Sequence, residues 1–216
     1  MTNKTEKSDS PQKTSGMTLC VFCGASPGKD PKHMALAEKL GIGIALGGHK
    51  LVYGGGGLGL MGAVARSAHK GGAHVTGVMP NFLREAEKTV AGIEHEFVET
   101  MHERKISMFD RADAFIVLPG GIGTLEEAVE ILSWLRLNLH VKPVIFLSDT
   151  GYWETLLATF HHVVDSGFAA KSTRDDLLSA SSVEEAFAIA QSEIAQPRKR
   201  EPLKLKDDKE ELKKRV

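Results

Sequence analysis

Leu118-Pro119-Gly120-Gly121-Ile122-Gly123-Thr124-Leu125-Glu126-Glu127 joins the apolar run Ala114-Phe115-Ile116-Val117 to the periodic segment Ala128 to Trp134. An apolar run, a glycine turn and then apolar residues at helical spacing read as a strand that ends and a helix that begins. The turn carries three glycines and a threonine. Backbone without Cβ atoms can approach a ligand closely, and the unpartnered amides of a first helical turn aim the positive end of the helix at it. The position suits an anion, most simply a phosphate. Two carboxylates, Glu126 and Glu127, follow at once, and beside a phosphate they are unwelcome unless the chemistry uses them.

The segments on either side repeat the alternation. Thr18 to Cys23 reads as a buried strand and 24 to 29 as a loop, and Asp30-Pro31 is an N-cap followed by an N1 proline, with Met34, Ala37, Leu40 and Ile44 as the apolar face of the helix it opens. Gly47-Gly48 ends that helix. Lys50 to Tyr53 is a second strand, and Gly54-Gly55-Gly56-Gly57-Leu58-Gly59-Leu60-Met61-Gly62 feeds a helix through His69. Gly57, Gly59 and Gly62 satisfy GxGxxG, yet the next strand, His74 to Met79, ends in Pro80 rather than in the acidic residue that holds a dinucleotide ribose. Four glycines in a row predict close approach to a ligand or a partner backbone. Beyond a mixed connection over Asn81 to Ile93, Phe97-Val98 is a short strand and Met101 to Arg111 a helix. Pro143 to Leu147 is a strand, Gly151 to Val164 a helix, Leu177-Leu178 an edge strand and Val183 to Ile194 a last helix. The alternation gives an α/β fold with a mainly parallel sheet flanked by helices, and the loops 24–29, 54–59 and 119–124 should gather at the carboxyl ends of its strands.

The 216 residues, 42% of them hydrophobic, suffice for one well-buried domain, expected over residues 17–196. Residues 1–16 form a polar N-terminal tail without the apolar segment of a secretory signal, and the tail from Pro197 is dense in charge of both signs. A net charge of −1 leaves no basic footprint for nucleic acid, and no apolar run approaches a membrane span, so the expected location is cytoplasmic. Cys20 and Cys23 sit within an apolar run, without the second cysteine pair that a zinc site needs, and read as buried thiols. His102 and Glu103 begin an HExxH pattern whose fifth residue is Ile106, so no metal site is expected. Neither glycine loop is followed by GK[ST], which excludes a Walker A loop.

Arg104 and Lys105 lie one helix upstream of the central strand, where a guanidinium fork or an ammonium could meet carboxylate or phosphate. Thr124-Leu125-Glu126-Glu127 also reads as a capping box, in which Thr124 caps the helix and Glu127 reaches back to its amide.

Tyr53-Gly54-Gly55-Gly56 continuing into Gly59-Leu60-Met61-Gly62, then Met101-His102-x-Arg104-Lys105, then Pro119-Gly120-Gly121-x-Gly123-Thr124-x-x-Glu127, resemble in this order the Lonely Guy (LOG) family. The resemblance runs from about Leu19 to Phe168. It implies a Rossmann-like homodimer that hydrolyses N6-substituted adenosine 5'-monophosphates, or AMP, to free base and ribose 5-phosphate without a cofactor. It assigns catalysis to Arg104 and Glu127. Phosphate and substrate contacts fall to Gly121, Ile122, Gly123, Thr124, Lys105, Glu126, Ser26, Gly55, Gly56 and a glutamate matching Glu87, with Glu85 the alternative because the spacing differs by one residue. Two departures stand out. The first loop reads Cys23-Gly24-Ala25-Ser26 where the family usually has two serines, and Trp134-Leu135-Arg136-Leu137-Asn138-Leu139-His140 replaces a Trp-Ala-Gln-Leu-Gly-type segment. The rival readings are a non-catalytic carrier of a nucleotide or phosphorylated cofactor, which needs no Arg104 with Glu127, and a pyridoxal phosphate decarboxylase built on Lys105, for which no pyridinium partner is marked.

Overall fold

The computed structural model describes residues 16–198, so the tails expected over residues 1–16 and 197–216 lie outside the described residues except for Gly16, Pro197 and Arg198. Seven strands form one sheet in the order β4-β3-β2-β1-β5-β6-β7, with β1 Thr18–Phe22, β2 Lys50–Tyr53, β3 Val75–Pro80, β4 Glu94–Val98, β5 Ala114–Val117, β6 Val144–Leu147 and β7 Leu178–Ala180. Every pairing is parallel. The helices are α1 Pro31–Leu46, α2 Gly59–Lys70, α3 Arg84–Glu87, α4 Met101–Arg111, α5 Ile122–Arg136, α6 Glu154–Asp165 and α7 Val183–Ala195.

Strand β1 shows how the layers arise. Successive side chains on a strand point to opposite faces. Leu19 and Val21 join Leu40, Ile44, Val64 and Ala186 in a core under α1, α2 and α7. Cys20 and Phe22 join Met108, Ile131, Leu135 and Trp153 under α4, α5 and α6. The two cysteines are thus free, buried and in opposite layers. Burial pushes both thiols up, which suits inert packing.

The sheet reverses direction beside β1. Chain order runs outward through β2, β3 and β4, then returns to β5 on the other side of β1. A crevice opens at such a switch point, beyond the carboxyl ends of β1 and β5. Gly24 N–H donates to Pro119 O at 3.1 Å, tying the two loops at that spot.

Several boundaries differ from the sequence reading. Strand β4 starts at Glu94, because an edge strand with half-exposed His95 and Glu96 needs little apolar signal. Helix α6 starts at Glu154, after Trp153 has turned inward to donate from Nε1 to Val117 O at 3.0 Å. The apolar spacing of Ile131 to Leu139 predicts a helix to Leu139, but α5 stops at Arg136, with Asn138 in the left-handed region at φ 57°, so Leu137 and Leu139 lie beyond the helix and exposed. The capping box at Thr124 does not form. The N-cap is Gly121, Thr124 is the third helical residue, and Leu125 N–H makes the first intrahelical bond, to Gly121 O at 3.0 Å. A box-like arrangement occurs instead at α4, where Thr100 accepts from Glu103 N–H and Glu103 accepts from Glu99 N–H. Among the described residues no helix is long and apolar enough to cross a membrane.

Candidate active site

A cavity of about 550 Å³ occupies the switch-point crevice. The first turn of α5 forms part of its wall. Starting the helix at Gly121 turns Thr124, Glu127, Ala128 and Ile131 onto one buried face by the three- and four-residue periodicity. Glu127 is therefore carried into the protein at the cavity wall, whereas Glu126 stays exposed at the rim.

Arg104 meets Glu127 from α4. Its Nη1 lies 2.7 Å from Glu127 Oε1, its Nε donates to Val78 O at 3.1 Å, and the two side chains are each 9% exposed. Room for the guanidinium comes from Gly54, where a Cβ would lie 1.9 Å from Arg104 Nη2. Burial raises the Glu127 carboxyl above its ordinary range, and the Arg104 charge and hydrogen bond oppose that rise. One residue along, Lys105 Nζ lies 2.6 Å from Glu126 and 2.8 Å from Glu130. Partial burial works against its charge, but the bonds to Glu126 and Glu130 outweigh that and hold the ammonium above its usual value. Both carboxylates that crowd the anion turn are thus matched by cations from α4, which removes the conflict posed by their sequence positions.

The glycines of the turn divide by role. A Cβ on Gly120 would strike Thr124 Oγ1 at 2.2 Å, so packing demands that glycine. At Gly121 and Gly123 a Cβ would meet nothing within 4 Å. Protein packing leaves those two positions open, and the space lies over the free first-turn amides.

Of the residues singled out by sequence, Ser26, Glu87, Arg104, Gly121, Gly123, Thr124, Glu126 and Glu127 line the cavity. Ile122 points to solvent, and Lys105, Gly55 and Gly56 stand behind the lining. In the four-glycine run only Gly54 reaches the cavity, while Gly56 packs on Glu87 and Gly57 on the Lys88 backbone. The run thus serves partner backbone and side chains more than ligand. Glu87 lines the cavity with a buried Oε2 that has no hydrogen-bond partner, whereas Glu85 is exposed and outside it. Sequence reasoning missed His33, Tyr152 and Leu83, which also line the cavity, as do Met61 and Met101, which the quoted motifs contain without assigning them a role. Only His33 carried a usable signal, a polar residue on the buried face of α1. Among the described residues no three His, Cys, Asp or Glu side chains are gathered as a metal site.

Residues 61–190 match the family described as possible lysine decarboxylase. The chain is 43% identical over 175 residues to cytokinin riboside 5'-monophosphate phosphoribohydrolase LOG4 of Arabidopsis thaliana, covering 81% of each chain. It is 47% identical over 163 residues to the probable enzyme of the same name LOGL9 of Oryza sativa subsp. japonica, covering 75% of this chain and 72% of that one. Among solved structures, the Moco carrier protein of Chlamydomonas reinhardtii superposes with a TM-score of 0.64 at 20% identity, over 84% of this chain and 99% of that one. That likeness concerns the fold alone.

Proposed function

This chain belongs to the LOG family of cytokinin riboside 5'-monophosphate phosphoribohydrolases, and we propose from that premise that its cavity hydrolyses N6-substituted adenosine 5'-monophosphates, or AMP itself. The carrying observation is the buried Arg104–Glu127 pair at the cavity wall. A carrier has no use for a desolvated carboxylate held on a guanidinium, whereas a reaction that develops positive charge on a ribose does.

The 5'-phosphate sits on the first-turn amides of α5 above Gly121 and Gly123, with Thr124 and Ser26 as hydroxyl donors. Anchored there, the ribose is held over Glu127. The bond between C1' and the base nitrogen lengthens, the ribose gains oxocarbenium character, and the Glu127 carboxylate stabilises that charge. Water orientated by Glu127 adds to C1' and gives one proton to the Glu127 carboxylate, the C1'–N bond breaks with its electron pair going to the base, and one proton passes to the base, so that one water is divided as OH on the ribose and H on the base. Arg104 fixes the carboxylate's orientation and keeps it ionised. Glu87 offers an acceptor to hydroxyl or N–H groups of the substrate from the loop after β3. Lys105 contributes by holding Glu126 and Glu130 rather than by touching the nucleotide. Binding energy from the remote phosphate is what positions the reacting bond.

The test is chromatography of free base after incubation with AMP, N6-isopentenyl-AMP and adenosine. Both nucleotides should release base and adenosine should be far poorer; equal turnover of adenosine contradicts the phosphate anchor, and no release from either nucleotide contradicts the hydrolase reading.

We further infer a homodimer in the cytoplasm. Val129, Leu132, Leu137, Phe160, Val163 and Phe168 line an apolar groove of about 380 Å³ between α5 and α6, with Phe168 88% exposed. An apolar groove of this kind suits a second copy of the chain. Free buried thiols suit a reducing compartment. Light scattering that gives a monomer at working concentration contradicts the dimer.

A further inference from the structure

We propose that His33 is a substrate contact, donating a ring N–H to the 5'-phosphate and completing the anion site begun by the first turn of α5. The inference rests on the hydrolase reading and adds a residue to the same site.

His33 is the third residue of α1 and is 9% exposed. Every other buried residue of that helix is apolar or glycine. Its Nδ1 is shut from solvent and has no hydrogen-bond partner. A buried nitrogen left unpaired is costly, and an apolar residue would serve the core better. The cost is relieved if the ring, which lines the cavity, turns about its Cβ–Cγ bond to bring that nitrogen to a ligand there.

Its surroundings identify which part of the ligand that is. Cδ2 of the ring lies against Gly28, where a Cβ would stand 3.1 Å away. The ring packs edge-on to Tyr152, centroids 5.4 Å apart at 79°, and Tyr152 Oη donates to Gly120 O at 2.7 Å. His33 is thereby indexed to the anion turn. The nucleotide's other end faces Glu87, in the loop after β3, separated from the loop after β6 that carries Tyr152 by β2, β1 and β5. Charge decides the rest. Arg104 and His33 are the only basic side chains in the cavity lining among the described residues, and Arg104 is occupied by Glu127 and Val78 O. His33 is therefore the basic side chain of the lining, among the described residues, that carries no hydrogen bond or ion pair, and a phosphate dianion on the α5 amides can turn to it.

Calorimetry with ribose 5-phosphate and with adenosine tests this on wild type, His33→Phe and His33→Asn. Phe keeps the ring edge on Tyr152 and removes the donor; Asn keeps a donor near the Nδ1 position and removes the ring. The donor role predicts that His33→Phe weakens ribose 5-phosphate about 10-fold or more, that His33→Asn stays within about threefold, and that adenosine is unaffected by either. In turnover, His33→Phe should lower kcat/KM for AMP about 10-fold or more, and His33→Asn should restore it to within about threefold of wild type. Unchanged binding in His33→Phe, equal losses in Phe and Asn, or equal losses for adenosine and ribose 5-phosphate each overturn it, the last by assigning His33 to the ribose. Failure of the wild type to release base from AMP would instead remove the hydrolase reading, and ribose 5-phosphate binding would still decide His33.

Discussion

Arg104 and Lys105 leave α4 one residue apart and both reach carboxylates on α5, yet their surroundings are opposite. The Arg104–Glu127 pair is 9% exposed on each side and faces the cavity, whereas Lys105, 13% exposed and behind the lining, joins Glu126 at the cavity rim and Glu130, which are 51% and 26% exposed. Charge type and helix pairing are shared. What differs is hydration, set by about 100° of helical rotation per residue. A dehydrated ion pair costs much to bury and much to break, so its upkeep is explained by chemistry; a hydrated one is a clasp of small value.

The most severe way to probe that contrast is Arg104→Met. It leaves a buried carboxylate without its partner and should lower unfolding free energy by about 3–5 kcal/mol, read by denaturant titration, with base release lost as well. A melt and turnover near wild type would show that the pair is not the hinge of the site. Next is Glu127→Gln. Gln can still accept from Arg104, so the fold and AMP affinity should survive, while base release falls about 10²-fold or more. Since the capping box at Thr124 does not exist, no helix-start role is available to explain such a loss. Full activity in Glu127→Gln would remove the mechanism.

A third probe uses pH. The ionised Glu127 is the active form and burial raises its carboxyl, so kcat/KM should climb through an acid limb centred above the 4.5 of an ordinary glutamate. A limb at or below that value contradicts the burial argument. The same shift has a stability side. The folded carboxyl holds its proton more tightly than the unfolded one, so Glu127's contribution to stability is fully present below the unfolded value and is lost as pH rises through the folded value. Glu127→Gln should flatten stability across that window. The smallest effect belongs to Lys105→Met, expected to cost about 1 kcal/mol or less and to leave turnover within about threefold. A loss comparable to Glu127→Gln would place Lys105 in contact with substrate after all.

The contrast also marks what could be read before folding. The α/β alternation and the parallel sheet were legible, and the Leu118–Glu127 turn could be singled out, because strand and helix periodicities and glycine turns are local properties. Arg104 and Glu127 were found through the motif resemblance, and Glu87 was separated from Glu85 only by its buried, unpartnered oxygen. Tyr152 and Leu83 were invisible. They sit on an exposed loop or at element ends, where nothing local distinguishes a cavity wall from a surface.

By itself, then, the sequence determined which segments are strands and helices and which glycine turns join them, since both follow from backbone sterics and short-range periodicity. Only the tertiary structure decided which charges are dry. It began α5 at Gly121 rather than at Thr124, and that helix phase turned Glu127 inward to Arg104 and left Glu126 outside with Lys105. It also brought His33 of α1 beside Tyr152 from the loop after β6, across 119 residues of chain. Dehydration and long-range contact depend on what packs against a residue from elsewhere in the chain, and no local pattern encodes that.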